Sequence, residues 1–421
     1  MRTARLLAVL SALAFVACGG DEKTSGPTPF EIYEPEPGTP ERLAYDAGLT
    51  RYLDKTPPVS AEVGSEGVIT YTFDSADGPM CMRGKPYRAS VRDTGSEDLL
   101  IFLQGGGACW SDFCFAIVTA PKGIPKIDAT NTELESNPFR DMNVLYLPYC
   151  DGSLFSGDRD MPENDPAKLE RGLTTRHYRG LANLSAALAV GKYHFPSPRK
   201  IVLTGSSGGG YGTILASYLV RYVYPGVPIY VVNDSGIGIG KEGDPTFVET
   251  LISEFGAEEF VPEDCEDCFA SGHILKLIEY LLERDPDIRV AAVTSWYDSV
   301  LSEIFLAIGP LAFMESIDLH TGALHEAFPD RYRRFIYDGP GHTATLGNPI
   351  GIVGTDLGGV ELPPSIKLAG LKILGLETAK VGDVTLAEWL AAMIADDEEN
   401  WVDLTAEPSP IEEEETPPEE L

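Results

Sequence analysis

Gly205-Ser206-Ser207-Gly208-Gly209 separates an apolar run, Lys200–Thr204, from a stretch with helical spacing, Ile214–Tyr224. A serine in the middle of G-x-S-x-G is lifted above a sheet only where a strand turns sharply into a helix, and flanking glycines let the two approach. That requirement narrows the fold, and the rest of the chain agrees with it. Leu99–Leu103 and Val144–Leu147 are uninterrupted apolar runs, the pattern of strands covered on both faces. Pro228–Val232, Arg289–Thr294 and Arg334–Tyr337 read as further core strands. Leu181–Val190 and Leu386–Ile394 read as helices, the second with Thr385 as its N-cap. Val68–Phe73 and Tyr87–Arg92 alternate as antiparallel strands do. Buried strands alternating with helices predict an α/β fold with a mostly parallel central sheet flanked by helices.

In such sheets the reactive groups gather at the carboxyl ends of the strands. Ser207 is the candidate nucleophile, and the N–H of Gly208 would face a developing oxyanion. A second donor is expected from Gln104-Gly105-Gly106-Gly107-Ala108-Cys109-Trp110, after the strand Leu99–Leu103, with Gly106 and Gly107 as candidates. Read instead as a phosphate-binding turn, the elbow lacks the lysine of a P-loop. A serine hydroxyl needs an imidazole to take its proton and a carboxylate to orient that imidazole. Of the six histidines, His320, His325 and His342 follow a suitable acid, and only His342 sits in a loop just past a core strand, Asp338-Gly339-Pro340-Gly341-His342-Thr343. Asp298, in Trp296-Tyr297-Asp298, is the expected acid. Its rival Asp234, in Asn233-Asp234-Ser235-Gly236, is read as holding its own turn.

The ends point to export. Arg2, Arg5 and the apolar run Leu6–Ala17 form a signal pattern, and Leu13 to Gly20 resembles a lipobox in which Cys18 would carry the lipid. Ordinary cleavage after Ala14 is the other reading. The segment from Asp21 to Ala61, rich in Pro, Gly, Thr and Glu, is expected to be a flexible tether, and Glu398–Leu421 a disordered acidic tail. No apolar run reaches the roughly 20 residues that span a bilayer. Lys plus Arg number 32 against 65 Asp plus Glu, and the resulting net charge of −33 argues against nucleic-acid binding. Besides Cys18 there are six cysteines, an even number that suits disulfides in an exported chain. Cys109/Cys114 and Cys265/Cys268 can close small loops, which leaves Cys81 with Cys150; this is one of about 15 possible connectivities.

Taken together, the triple-glycine loop followed by a cysteine, Tyr149-Cys150-Asp151-Gly152 running on to Phe155-Ser156-Gly157-Asp158, the Ser207 elbow, Asn233-Asp234-Ser235-Gly236, Tyr297-Asp298 and the glycine-flanked His342 resemble the pectin acetylesterase and Notum family of serine carboxylesterases. The resemblance implies an α/β-hydrolase-like fold, the triad Ser207, Asp298 and His342, and an oxyanion hole around Gly106, Gly107 and Gly208. It places Asp234 in a structural role. Gln104 stands where the family usually has Glu, Ala108-Cys109-Trp110 reorders the usual Trp-Cys, and Gly208 replaces a common Ala. The expected organisation is a signal peptide over 1–17, a lipid-anchored linker over 18–61, an esterase domain over 62–397 with a cap-like insertion at about 237–286, and the tail over 398–421. The expected activity is hydrolysis of an O-acyl ester, acetyl foremost, on a polysaccharide, without metal or organic cofactor. A lipase or polyester depolymerase, and a non-catalytic surface-binding lipoprotein, are the alternatives. The expected location is the outer membrane or cell surface of a Gram-negative bacterium, held there by the lipid alone.

Overall fold

The computed structural model describes residues 30–74, 76–347 and 373–410. The chain enters through a short helix, α1 (Arg42–Asp46), and an edge strand, β1 (Ser60–Val63). Two antiparallel strands follow, β2 (Ile69–Phe73) and β3 (Tyr87–Arg92), then β4 (Asp98–Leu103). A small hairpin, β5 (Gly107–Cys109) and β6 (Cys114–Ala116), precedes β7 (Asn143–Leu147). A second hairpin, β8 (Arg159–Pro162) and β9 (Thr175–Tyr178), encloses α2 (Pro166–Glu170) and leads to α3 (Gly180–His194). The elbow region is β10 (Lys200–Ser206) and α4 (Gly208–Val223), followed by β11 (Ile229–Asp234). Helices α5 (Pro245–Phe255) and α6 (Leu275–Arg284) separate β11 from β12 (Ile288–Ser295). Helices α7 (Pro310–Ser316) and α8 (Gly322–Ala327) lead to β13 (Tyr332–Tyr337). Last come the two-residue strands β14 (Lys380–Val381) and β15 (Val384–Thr385), α9 (Leu386–Ile394) and β16 (Leu404–Thr405).

Ten strands form one sheet in the order β1-β2-β3-β7-β4-β10-β11-β12-β13-β16. From β7 to β16 every neighbour is parallel, and β1, β2 and β3 add an antiparallel edge. This is the expected α/β architecture. Its uninterrupted apolar strands are explained by two cores. Leu99, Ile101, Leu103, Ile201 and Leu203 face one side with residues of α3, α4 and α6, while Leu100, Phe102, Val202 and Val232 face the other with α9. Thr385 caps α9 in a reciprocal capping box with Glu388.

Two expectations about the ends are corrected. Residues 30–61 are not a free tether: Ala44, Leu49 and Leu53 are buried in the core, and the Tyr33 ring stacks on Tyr222 at 4.8 Å. A few well-placed apolar side chains outweigh a polar average. Nor does the tail begin at 398. Trp401 is buried, β16 pairs with β13, and Asp403 forms a 2.7 Å ion pair with Arg334. The signal segment, Cys18 and residues 411–421 lie outside the described residues.

The six cysteines pair as Cys81–Cys150, Cys109–Cys114 and Cys265–Cys268. Among the described residues no helix is long and apolar enough to cross a membrane.

Candidate active site

Ser207 stands between the end of β10 and the start of α4 with φ 54° and ψ −122°, a conformation that costs a non-glycine residue about 1–3 kcal/mol. The surroundings hold it there. Its N–H donates to the Asp234 carbonyl at 2.7 Å, and its own carbonyl accepts from Tyr211 N–H. Glycine is needed beside it because strand and helix nearly touch: a Cβ at Gly209 would lie 2.1 Å from the Leu103 carbonyl oxygen. Ser207 is half-buried on the wall of a pocket, whereas Ser206 is buried and its hydroxyl has no partner.

The glycine loop after β4 can now be divided. The Gly106 carbonyl accepts the Ile117 N–H at 2.9 Å. The peptide unit is planar and trans, so the N–H of Gly107 in that same unit points the opposite way, away from Ile117. Gly107 and Gly208 line the pocket with Ser207; Gly106 does not, and a Cβ there would meet the Tyr149 and Ile117 side chains. Gly208 opens α4, where an N–H has no acceptor within the helix. The hairpin β5–β6 is closed by Cys109–Cys114, and Cys109 N–H donates to the Gly152 carbonyl. The Tyr149-Cys150-Asp151-Gly152 segment thus supports the glycine loop from behind.

Asp298 and His342 come together after β12 and β13. His342 Nδ1 lies 2.9 and 2.8 Å from Asp298 Oδ1 and Oδ2, with both residues buried. Asp298 Oδ1 also accepts the N–H groups of Val300 and Leu301, which fixes the carboxylate. Asp234 contacts the His342 loop differently: its carboxylate accepts from the backbone of Ala344 and Thr345, not from the imidazole. His325 Nδ1 is engaged by the Tyr332 carbonyl.

The pocket beside Ser207 is open on one side and lined almost wholly by apolar groups. Its walls are Phe247, Val248, Leu251, Ile252 and Phe255 of α5, Leu215 of α4, Leu301, Phe305 and Leu306 after Asp298, and Leu154, Ile239 and Ile274. This apolar lining went unread in the sequence, although apolar residues at 247, 248, 251, 252 and 255 repeat with helical spacing. Residues of the 237–286 segment, from Gly238 to Ile274, thus form much of the wall of the pocket that Ser207 lines.

Among the described residues, Glu242, His273 and His320 form the one group with metal-ligand spacing. Gly240 N–H donates to His273 Nδ1 at 2.8 Å, so in the neutral ring the proton is on Nε2, which faces Glu242 at 2.9 Å. A protonated nitrogen has no lone pair for a metal. The group is a hydrogen-bonded clamp that joins the segment after β11 to the helices after β12.

Sheet, elbow and acid–imidazole pair define an α/β-hydrolase-like protein. The family model described as Pectinacetylesterase matches residues 68–255. The chain is 24% identical over 221 residues to the palmitoleoyl-protein carboxylesterase notum1' of Xenopus laevis, covering 46% of this chain and 44% of that one. It is 24% identical over 193 residues to pectin acetylesterase 4 of Arabidopsis thaliana, covering 41% and 45%. The resemblance read from the motifs is thereby met, and the chain spans less than half the length of these relatives. The family match holds the glycine loop and Ser207 but ends before Asp298 and His342, which rest on geometry.

Proposed function

We propose that the protein is a serine carboxylesterase whose nucleophile is Ser207, base His342 and acid Asp298, and that its acyl site takes medium to long aliphatic chains. The observation that carries this reading is the apolar pocket opening directly on the strained serine, with the buried His342–Asp298 pair after β12 and β13 of the same sheet. The imidazole takes the Ser207 proton as Oγ attacks the ester carbonyl. The N–H groups of Gly107 and Gly208 receive the oxyanion. Collapse expels the alcohol, which takes the proton from His342; water then repeats the sequence and frees the acid.

An acetyl group on Ser207, favoured by the sequence reading, would touch few of the apolar side chains that α5, Leu215, Leu301, Phe305 and Leu306 contribute to the pocket wall. A fatty chain gains about 0.8 kcal/mol for each methylene it buries there. The relatives' names span both kinds of substrate, pectin acetate and a palmitoleoyl-protein, so the pocket is what favours the longer chain. Three disulfides suit an oxidising compartment, which supports export; anchoring through Cys18 belongs to the same proposal. A p-nitrophenyl ester series from acetate to palmitate tests the acyl reading. The expected result is a kcat/KM that climbs from acetate to at least octanoate. A maximum at acetate with no turnover of longer chains would return the protein to the acetylesterase reading.

A further inference from the structure

We propose that Asp234 is a positioning residue that holds nucleophile and base in register, its main chain fixing Ser207 and its carboxylate fixing the loop that carries His342. This rests on the triad reading above.

Asp234 ends β11, in the sheet between β10 and β12. Its carbonyl accepts the Ser207 N–H at 2.7 Å. Its carboxylate is fully buried and turns to the other side of the site. Oδ1 accepts Ala344 N–H at 2.9 Å; Oδ2 accepts Thr345 N–H at 2.8 Å and the Thr345 hydroxyl at 2.6 Å. The neighbouring Ser235 Oγ accepts Thr343 N–H at 2.9 Å. Three successive amides just after His342 are therefore tied to two residues of β11 and its turn. The tie opposes real strain, because Thr343 is β-branched and has φ 64°. One residue thus touches Ser207 and the loop that carries His342, without touching the imidazole.

The chemistry requires a carboxylate. A buried amide would be cheaper to desolvate, yet it offers one acceptor oxygen where the loop presents donors to two. Burial pushes the Asp234 carboxyl up to about 6, against the pull of its donors and of His342. The titratable groups facing it are His342 on the held loop and Tyr337 at the end of β13; Tyr337 also feels Asp298. Above that value the carboxylate is ionised and accepts from the loop. Below it, one oxygen becomes a donor and the tie to the amides is weakened to what the remaining acceptor oxygen can hold. Protonation of Asp234 therefore contributes to the acid limb of activity through the loop that it holds.

The test compares full-length wild type, Asp234→Asn and Thr345→Val on p-nitrophenyl butyrate, with thermal melts of each. Displacing a base by a fraction of an ångström to 1 Å costs up to about 100-fold. The expected result is a kcat loss approaching that in Asp234→Asn with KM changed less than about threefold, and a smaller kcat loss in Thr345→Val. The acid limb of log kcat/KM should be steeper in wild type than in Asp234→Asn, which has no carboxyl at this position to protonate. Should Asp234→Asn not fold, a folded Thr345→Val with wild-type kcat overturns the proposal, and one with reduced kcat and unchanged KM supports it. Wild-type kcat and limb in Asp234→Asn overturn it too. Ser207→Ala separates the two readings: if it keeps full turnover the triad itself is wrong, whereas an inactive Ser207→Ala beside a fully active Asp234→Asn removes the brace alone.

Discussion

Asp298 Oδ1 accepts the backbone N–H groups of Val300 and Leu301 while the same carboxylate holds His342 Nδ1, so one side chain both caps a turn and orients an imidazole. The two duties can be separated. In Asp298→Asn the amide oxygen can keep the backbone bonds, which leaves an NH₂ group facing Nδ1. The ring must then carry its proton on Nε2 and cannot accept one from Ser207. The expected outcome is a loss of about 10⁴ in kcat with little change in melting temperature. A kcat within tenfold of wild type would remove Asp298 from the acid's role.

The adjacent serines give a sharper contrast. Ser207 lines the pocket, whereas the Ser206 hydroxyl is buried without a partner. Ser207→Ala is expected to abolish ester hydrolysis by several powers of ten. Ser206→Ala removes no hydrogen bond and is expected to keep most activity. Steady-state kinetics on a simple ester, with circular dichroism of both variants, checks the pair.

The legible parts of this molecule are those whose physics is local. Leu99–Leu103 announces a strand buried on both faces, and Thr385 with Glu388 announces the start of α9. Ser207, Asp298 and His342 could be picked out as candidates because each follows a strand, where such a sheet exposes reactive groups. What could not be read depends on distant partners. Asp234 and Thr345 meet across 111 positions, and no local pattern marks the bond. The segments 30–61 and 398–410 average out as polar, yet Leu49, Leu53 and Trp401 are buried. Composition reports the mean of a segment, while docking depends on a few side chains. Choosing between Gly106 and Gly107 needed the direction of one peptide plane.

The disulfides should separate stability from activity. Cys81–Cys150 closes 69 residues and Cys109–Cys114 only 5. In the chain-entropy account these are worth about 4 and about 2 kcal/mol. Cys109–Cys114, however, closes the hairpin that begins at Gly107. Paired Cys→Ser replacement of Cys81 and Cys150 is expected to lower the melting temperature more. Replacement of Cys109 and Cys114 is expected to lower kcat more, measured per folded molecule. Equal effects of both replacements on kcat would mean that the hairpin is not what places the oxyanion donor.

The acyl pocket can be shortened from within. Ile252 lies on α5, nearly buried, with its side of the helix on the cavity wall. In a packed core Ile→Trp would force neighbours apart at a cost of about 1–3 kcal/mol. Here the larger ring would project from the pocket wall into the space that an acyl chain would occupy. If Ile252→Trp denies the substrate four methylenes of depth, long esters lose about 3 kcal/mol of binding in the transition state, a factor of roughly 200 in kcat/KM. Acetate and propionate never reach that depth and should be hydrolysed as before. The chain-length profile should therefore fall at its long end while its short end stays fixed. A uniform drop across the series, with a lowered melting temperature, would mean that α5 is needed for folding and does not measure the chain.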